Sequence, residues 1–439
     1  MVKITIRDII PQVDSAETDQ SSEPSLAIDP LNPNDIIAGA FTDTTEPDGS
    51  FGTDYFLSTD GGVTWTPYGS LGTDDKSLAW SADGTTILTA TLTAGFNIAT
   101  YSGSASGTFG SSPINTFAPA NPDFLDQPWI RIGPSNHIYV AYNNLNNTDK
   151  TASVNVSTNG GSTFTPVVID KVGGTSGQDA PSVRVAVSGN TVYAGFTRWN
   201  ATIASDANGN TKYASQVVVV RSDNGGSDAF GALGTRGVGT VVATPTGSIS
   251  GTDNGPLALG QERTASAMAI AVDPNNANRV IIAYSDASGA LNSGHLQLIV
   301  AESTDGGVTW TSKFTTSLAT RSDQPALAIS TDGTVGFLYD NYDPTTNELS
   351  QHFVSTSDDF ATTTETVLAS ERNTTPTATS DPYLGDFFDL QAVGTSFDGV
   401  FSASNDDNGT AAQFANVTFQ RDFTGTPGTS SFQLTNSSN

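Results

Sequence analysis

The 439-residue chain contains no cysteine and only three histidines, His137, His295 and His352. Without cysteine it can form no disulfide, no thiolate metal site and no thiol nucleophile. The histidines are too widely spaced along the chain to indicate a His-rich metal cluster. No cofactor is required by the sequence, and any bound metal is expected to be a hard cation held by oxygen atoms.

Positive charge is also scarce. Lys and Arg number 17 against 45 Asp and Glu, which gives a formal net charge of -28. Such a surface repels nucleic-acid phosphates and anionic membranes. No apolar run approaches the roughly 18 residues that a membrane span needs. We therefore predict neither nucleic-acid binding nor membrane insertion.

The residues that are abundant indicate an all-β protein. Gly, Thr, Ser, Asn and Asp are frequent, only 14% of the residues are charged, and Val, Ile, Phe and Tyr form short runs between turn residues. The first ten residues, "MVKITIRDII", alternate like a strand and have no signal-peptide core. Composition associates the chain with an extracellular or cell-surface location, by an export route that the sequence does not reveal.

One turn occurs three times, as "STDGGVTW" at 58–65 and 303–310 and as "STNGGSTF" at 157–164. Its acid or Asn can accept hydrogen bonds from the turn's N–H groups, its second Gly tolerates a positive φ, and its aromatic ring can be buried between sheets. We predict a structural role, and no catalytic one, for these residues: Ser58, Asp60, Gly62, Trp65, Ser157, Asn159, Gly161, Phe164, Ser303, Asp305, Gly307 and Trp310.

A longer repeat places the turns in a larger architecture. Seven similar units each open with a hairpin, and most continue with a third strand and a copy of the turn or a degenerate one, which the seventh lacks; they begin at Glu23, Asp75, Asp126, Asp179, Ala267, Asp323 and Gly385. Units of four strands predict a seven-bladed β-propeller with four-stranded antiparallel blades, closed by the N-terminal strand. We expect one domain over 1–439, with the closing strand and lead-in at 1–22, the blades at 23–420, and a flexible or closing tail at 421–439.

The turns resemble the Asp-box, or bacterial neuraminidase repeat, of the sialidase-like superfamily, whose members include sialidases, other glycan-cleaving enzymes and non-enzymatic lectin-like proteins. The resemblance implies that each turn joins the third and fourth strands of a blade. Sialidases carry a Phe/Tyr-Arg-Ile-Pro motif and usually six blades. Here the equivalent first strand, "EPSLAID", has no arginine. These departures argue against literal sialidase activity.

The start of each innermost strand is the expected site of chemistry, because acids recur there and the long insertions fall on the same face. A carboxylate pair can supply acid and base or nucleophile to a sugar, and aromatic faces can cover it. The catalytic candidates are Asp75, Asp126, Asp179, Asp323 and Tyr383. The substrate-binding candidates are Glu23, Arg263, Arg321, Arg372, Trp129 and Trp199. The alternative is that each repeated acid only binds backbone N–H groups of its neighbour.

The favoured hypothesis is an extracellular, monomeric propeller that acts on a polysaccharide or glycoconjugate, as a sialidase-like glycoside hydrolase using paired carboxylates at the channel mouth. The alternative is a non-catalytic propeller that binds glycans or proteins, and a polysaccharide lyase is a weaker third reading. Calcium is a secondary expectation, because "DANGN" resembles a fragment of a calcium loop without its distal Glu. Its ligands would be Asp206, Asn208 and Asn210.

Overall fold

The structure is a computed structural model of the chain. It describes residues 3–9, 21–45, 51–71, 75–93, 95–117, 125–144, 151–172, 182–207, 211–250, 261–262, 267–289, 295–346, 348–372, 383–385, 387–404 and 415–423. The regular structure of these residues is all strand. A search of them for a helix of the length and apolarity that a membrane span needs finds none.

Most strands form four-stranded antiparallel sheets, here numbered as blades 1 to 6. Blade 1 contains β2 (Ser21–Ile28), β3 (Ile36–Thr45), β4 (Phe51–Ser58) and β5 (Thr66–Ser70). Blade 2 contains β6 (Lys76–Trp80), β7 (Ile87–Thr93), β8 (Asn97–Gly103) and β9 (Asn115–Phe117). Blade 3 contains β10 (Leu125–Ile132), β11 (Ile138–Asn144), β12 (Thr151–Ser157) and β13 (Thr165–Val168).

The later blades follow the same order. Blade 4 contains β20 (Met268–Asp273), β21 (Asn276–Asp286), β22 (Gln297–Ser303) and β23 (Thr311–Thr315). Blade 5 contains β24 (Arg321–Ile329), β25 (Val335–Asp343), β26 (Glu348–Thr356) and β27 (Thr364–Arg372). Blade 6 contains β29 (Asp389–Val393), β30 (Ser396–Ser404), β31 (Ala415–Phe423) and β1 (Lys3–Asp8).

The remaining strands form two other sheets. One is five-stranded, with β14 (Val183–Ser188), β15 (Thr191–Ser205), β16 (Thr211–Ser222), β17 (Thr240–Ala243) and β18 (Ser248–Ser250). The other is a two-stranded parallel sheet of β19 (Gln261–Glu262) and β28 (Tyr383–Gly385).

The prediction of seven four-stranded blades is wrong, because the described chain has six four-stranded antiparallel sheets. The unit expected to be another four-stranded blade, from Asp179, forms the five-stranded sheet instead. Its β15–β16 hairpin is much longer than the other hairpins, and the extended edge of β16 pairs with β18 as well as with β17. The extended part of the β15–β16 hairpin is therefore part of the sheet.

The sheets surround a common axis. The innermost strand of each sheet contacts the innermost strand of the next, in the order β2, β6, β10, β14, β20, β24, β29 and back to β2. Apolar clusters fill the spaces between neighbouring sheets; between blades 1 and 2, for example, Ala27 and Tyr55 pack with Leu78 and Trp80. Burial between faces, more than within one sheet, thus holds the ring together.

The predicted closure by the N-terminal strand is observed. β1 pairs antiparallel with β31, from Lys3 opposite Phe423 to Asp8 opposite Thr418, and so becomes the outermost strand of blade 6. Because its two ends come from opposite ends of the sequence, this blade ties the chain into a ring. Residues 421–423 of the predicted tail belong to β31, and the tail beyond them lies outside the described residues.

The three repeated turns each join the third and fourth strands of a blade. In the turn at 303–310, Gly307 N donates to Ser303 Oγ over 2.8 Å, and Thr309 donates to Asp305 through N and Oγ1 over 2.9 and 2.6 Å. The bonds from Thr309 lower the pKa of Asp305 to about 2. The turn at 157–164 keeps this pattern with Asn159 in place of the acid. The observed bonds are those of a self-contained turn.

Gly161 should tolerate alanine worse than its neighbour Gly160. Both have positive φ, +88° and +67°, but a Cβ on Gly161 would lie 2.9 Å from Ile114 Cδ1, whereas one on Gly160 would meet nothing within 4 Å. We expect each change to cost about 1–2 kcal/mol for the left-handed backbone and Gly161→Ala to cost about 1 kcal/mol more for the clash. Chemical denaturation of both variants measures this difference, and equal losses would refute the steric argument.

Candidate functional site

The candidate site is on the face where the innermost strands begin and the second strands end, here called the upper face. Three innermost strands enter it through the same irregularity, a left-handed residue before a proline: Glu23, Gln127 and Gln324, with φ near +50°. A register shift accompanies each one. Left-handed non-glycine residues cost about 1–3 kcal/mol each and concentrate at functional sites. Because three blades share this strained backbone at the same position, the upper face is the candidate functional site.

This geometry corrects the sequence alignment at blade 1. Glu23 was grouped with Asp126 and Asp323, but its positive φ and its proline align it with Gln127 and Gln324. Ser22 therefore occupies the position of those aspartates. The side chain of Glu23 is buried at 1% exposure, like those of Gln127 and Gln324 at 1% and 0%.

Among the described acids predicted at the starts of innermost strands, Asp75 and Asp126 are partly exposed. Asp126 is the second residue of β10, and its Oδ1 accepts a 3.0 Å hydrogen bond from the N–H of Gln127. Asp75 directly precedes β6, and its carbonyl accepts a 2.8 Å hydrogen bond from Leu92 N. Their strands β6 and β10 contact each other in the ring. The two acids therefore belong to adjacent blades on one rim.

Asp323 has a different environment, because its exposure is only 1%. It accepts a 2.6 Å hydrogen bond from Ser285 Oγ of blade 4, and its own N–H donates to Asp340 Oδ1 over 3.1 Å. Arg321 is buried beside both acids; burial lowers its pKa, while Asp323, Asp340 and Tyr342 oppose that shift. Arg321 and Asp323 are predicted from the sequence to act on substrate. In the structure both side chains are buried, with Arg321 beside Asp323 and Asp340.

Two buried polar residues near Asp323 were not predicted from the sequence. Asp340 and Gln351 stand opposite each other in the β25–β26 register and are 2% and 1% exposed. Neither polar atom of the Gln351 amide has a hydrogen-bond partner among the described residues. The sequence signal was the polar pair at the end of an apolar strand, "GFLYDN", which periodicity alone does not assign to a site.

The channel itself is closed by side chains on the axis. Arg131 Nη2 forms a 2.9 Å ion pair with Asp389 Oδ1, and the guanidinium groups of Arg131 and Arg184 lie 4.4 and 4.3 Å from the ring centre of Trp129. The ring of Phe387 meets Trp129 edge-on. The cavity left among these residues measures only about 20 Å³, which is room for about one water molecule. A ligand must therefore bind at the rim.

Asp389 is the first residue of β29, the innermost strand of blade 6. It is 1% exposed and also accepts hydrogen bonds from Ser25 Oγ and Leu26 N of blade 1. Burial raises its pKa above the ordinary value, although Arg131 and these donors act in the other direction. Asp389 thus joins blades 1, 3 and 6 at the axis.

The two predicted sugar-stacking tryptophans are both buried. Trp129 is 6% exposed beneath the two arginines. Trp199 is 3% exposed and stacks on Tyr213, with ring centres 4.3 Å apart, in the long β15–β16 hairpin. Neither ring offers an open face to a sugar in this structure, so their predicted role in binding stays a prediction.

For the other predicted residues, the residue or its side chain lies outside the described part of the structure, except for Asp206. Asp179, Arg263, Asn208 and Asn210 lie outside the described residues. Tyr383 is in β28 and Arg372 ends β27, but their side chains are outside the described part. Asp206 is partly exposed. Within the described ranges no three His, Asp or Glu residues are grouped to hold a metal ion, and the calcium expectation stays a prediction.

A groove of about 950 Å³, lined by none of Asp75, Asp126 and Asp323, lies between blade 3 and the 225–229 segment of the five-stranded sheet. Its lining includes Asn144, Lys171, Pro166, Val168 and several threonines. Among the described residues that line it there is no aromatic ring. The groove therefore lacks the rings that a site for a sugar's apolar face uses.

No family model matches the chain, and no curated protein matches it either. Similar solved structures include an ulvan lyase of a new polysaccharide lyase family, bound to a unit of glucuronic acid and rhamnose sulfate. It is 12% identical, covers 91% of this chain and 96% of its own, and has a TM-score of 0.51. This likeness supports the fold and carries no information on chemistry.

Two further matches are more distant. An α-L-arabinanase of Penicillium chrysogenum, complexed with arabinobiose, is 14% identical over 77% of this chain and 93% of its own, with a TM-score of 0.47. A Hadza microbial sialidase is 12% identical over 92% of this chain and 65% of its own, with a TM-score of 0.43. The likeness to the ulvan lyase shows a β-propeller fold, in agreement with the ring of antiparallel sheets described above.

Proposed function

We propose that this propeller binds a polysaccharide or glycoconjugate at its upper face and cleaves it as a glycoside hydrolase, with Asp75 and Asp126 as the two carboxylates. The observation that carries the proposal is their accessibility. Both are partly exposed on neighbouring innermost strands, whereas Asp323 is enclosed by Ser285 and Asp340. The structural neighbours named above act on or bind carbohydrates, which agrees with this substrate class.

The two acids divide the roles that glycoside cleavage requires. Asp126 serves as nucleophile or base, because the Gln127 N–H fixes the direction of its carboxylate. Asp75 serves as the acid that protonates the leaving oxygen. An extracellular location accompanies the proposal and rests on composition. Literal sialidase activity is not proposed, since the arginine expected in the first strand is absent.

The test is sugar release from a panel of polysaccharides, measured as reducing ends. Asp75→Asn and Asp126→Asn should each lower the rate by about 100-fold or more, because each removes a group that acts on the reacting bond. The matched control is Asp35→Asn, in the turn at the opposite face of blade 1, which should leave the rate unchanged. If both upper-face variants keep full activity, the assignment is wrong.

A non-catalytic binding propeller is the second candidate. The groove beside blade 3 favours it as a site for a protein or peptide, because its volume of about 950 Å³ is open whereas none of the described residues that line it carries a carboxylate. A glycan array distinguishes the two candidates when combined with the same reducing-end assay. Binding without turnover supports this second function.

A further inference from the structure

The side of blade 5 that faces blade 4 carries a relay of polar side chains that does not include Asp75 or Asp126. Ser350 Oγ lies 2.7 Å from His352 Nε2, and His352 Nδ1 lies 2.7 Å from Glu365 Oε1. Ser350 and His352 are two residues apart on β26, so their side chains point to the same side of the sheet. Glu365 stands on the neighbouring strand β27.

Glu365 is the partner of the imidazole Nδ1. Hydrogen bonding to His352, first of all, lowers the pKa of Glu365, so this carboxyl is a carboxylate that accepts from Nδ1–H. In the tautomer with its proton on Nδ1, the ring presents the lone pair of Nε2 to Ser350 Oγ, whose hydroxyl also reaches the Asn341 backbone carbonyl oxygen at 3.1 Å. This is the arrangement in which a histidine acts as base toward a serine nucleophile.

Tyr339 holds the relay in place. Its ring stacks on His352 with centres 5.0 Å apart, and its hydroxyl donates to Glu365 Oε1 over 2.5 Å. Burial raises the pKa of Tyr339, so the phenol remains a donor. Tyr339 is packed among the apolar residues between blades 4 and 5, which makes the relay part of a rigid wall.

Asn341 completes the set on β25. It stands directly opposite Ser350 in the register, and its Oδ1 accepts a 2.9 Å hydrogen bond from Ser322 Oγ. That bond fixes the plane of the amide, so its Nδ2 group is an oriented donor. Side-chain amides of this kind stabilise the oxyanion of acyl transfer.

We propose that Ser350, His352 and Glu365 form an acyl-transfer site that hydrolyses short-chain esters, such as acetyl esters, with Asn341 as oxyanion donor. Solvent reaches it from the Glu365 side, since the side chains of Glu365 and His352 are 45% and 13% exposed. Ser350 is only 9% exposed, so we restrict the proposal to esters of a small acyl group. The site is independent of the glycoside hydrolase proposed above.

The reaction has two balanced halves. Ser350 Oγ bonds to the ester carbonyl carbon as its proton moves to His352 Nε2; the carbon–oxygen bond to the alcohol then breaks, and the alcohol leaves with that proton. Water next adds to the acyl carbon and gives a proton to Nε2. The bond to Ser350 Oγ breaks, the serine recovers its proton, and the carboxylic acid leaves.

The experiment treats the full chain with a fluorophosphonate probe and with p-nitrophenyl acetate. We expect one covalent adduct, mapped by mass spectrometry to Ser350, and ester hydrolysis that Ser350→Ala abolishes. His352→Gln and Asn341→Ala should each lower the rate of acetate hydrolysis by about 100-fold. The matched control is Ser370→Ala, because Ser370 is an exposed serine opposite Ser350 on β27.

Two results overturn the proposal. One is an adduct on another residue, or no adduct, in the wild-type chain. Because this measurement uses only the wild-type chain, it does not depend on whether a variant folds. The other is labelling of His352→Gln at the wild-type rate. The double variant of Asp75→Asn and Asp126→Asn should keep ester hydrolysis, so failure of the glycoside hydrolase proposal is recognised separately.

Discussion

Asp389→Ala should lower the free energy of unfolding by about 3–5 kcal/mol, as expected when one partner of a buried ion pair is removed. The change leaves the Arg131 guanidinium without its carboxylate on the axis, and it also removes the acceptor for Ser25 Oγ and Leu26 N. Three blades lose a shared contact at once. Denaturant unfolding of the purified chain measures the loss.

The same residue predicts a pH dependence with a definite sign. Its pKa is higher in the folded chain than the value of 3.8 for the free group. Between these two values the folded state holds a proton that the unfolded state has released. This proton linkage adds stability that is fully present below about pH 3.8 and is lost as the pH rises through the folded pKa, whereas the hydrogen bonds from Ser25 and Leu26 do not depend on that proton. The alanine variant should lack this component.

The control for Asp389 is Asp223→Ala. Asp223 also pairs with an arginine, Arg221, but its side chain is 51% exposed. Exposed ion pairs contribute about 0–1 kcal/mol because water and salt screen them. Equal losses in the two variants would show that the axial ion pair has no special role.

Trp129→Ala is expected to cost about 3–5 kcal/mol, the range for a large buried aromatic side chain. Its ring packs against Phe387 and lies beneath the guanidinium groups of Arg131 and Arg184. Removal leaves a cavity at the axis and takes away two cation–π contacts. Trp129→Phe should cost less, because a smaller ring keeps part of both interactions.

The Trp129 variants also test the predicted role of this residue in sugar binding. If Trp129 only plugs the axis, Trp129→Phe should bind glycans as the wild-type chain does. The losses from Trp129→Ala and Asp389→Ala should not add, since both free the same Arg131 side chain. Full additivity of the two losses would contradict a coupled axial cluster.

The sequence predicted the all-β propeller with its repeated turns and closing strand because those features have local signals. The turn at 58–65 has its Asp, Gly and aromatic residues at fixed spacing, and the first residues alternate as a strand. The prediction of uniform four-stranded blades was wrong. The long β15–β16 hairpin is extended because a further strand, β18, pairs with β16, and that pairing has no local sequence signal.

At the candidate site the sequence located the upper rim but not the environment of each acid. Asp126 and Asp323 look alike in "DQPW" and "DQPA", yet one is partly exposed and the other is enclosed. The difference comes from Ser285 and Asp340, which are distant in sequence or on another strand. Gln351 gave no distinct sequence signal.

By itself the sequence determined the kind of sheet, the turns between strands and the rim on which acids recur, because these depend on residue spacing along one strand or hairpin. The tertiary structure decided which acids stay open to solvent, how Arg131 and Trp129 close the axis, and that Ser350, His352 and Glu365 meet. These outcomes depend on contacts between strands and blades, and burial and hydrogen bonding across such contacts are not encoded in any local pattern.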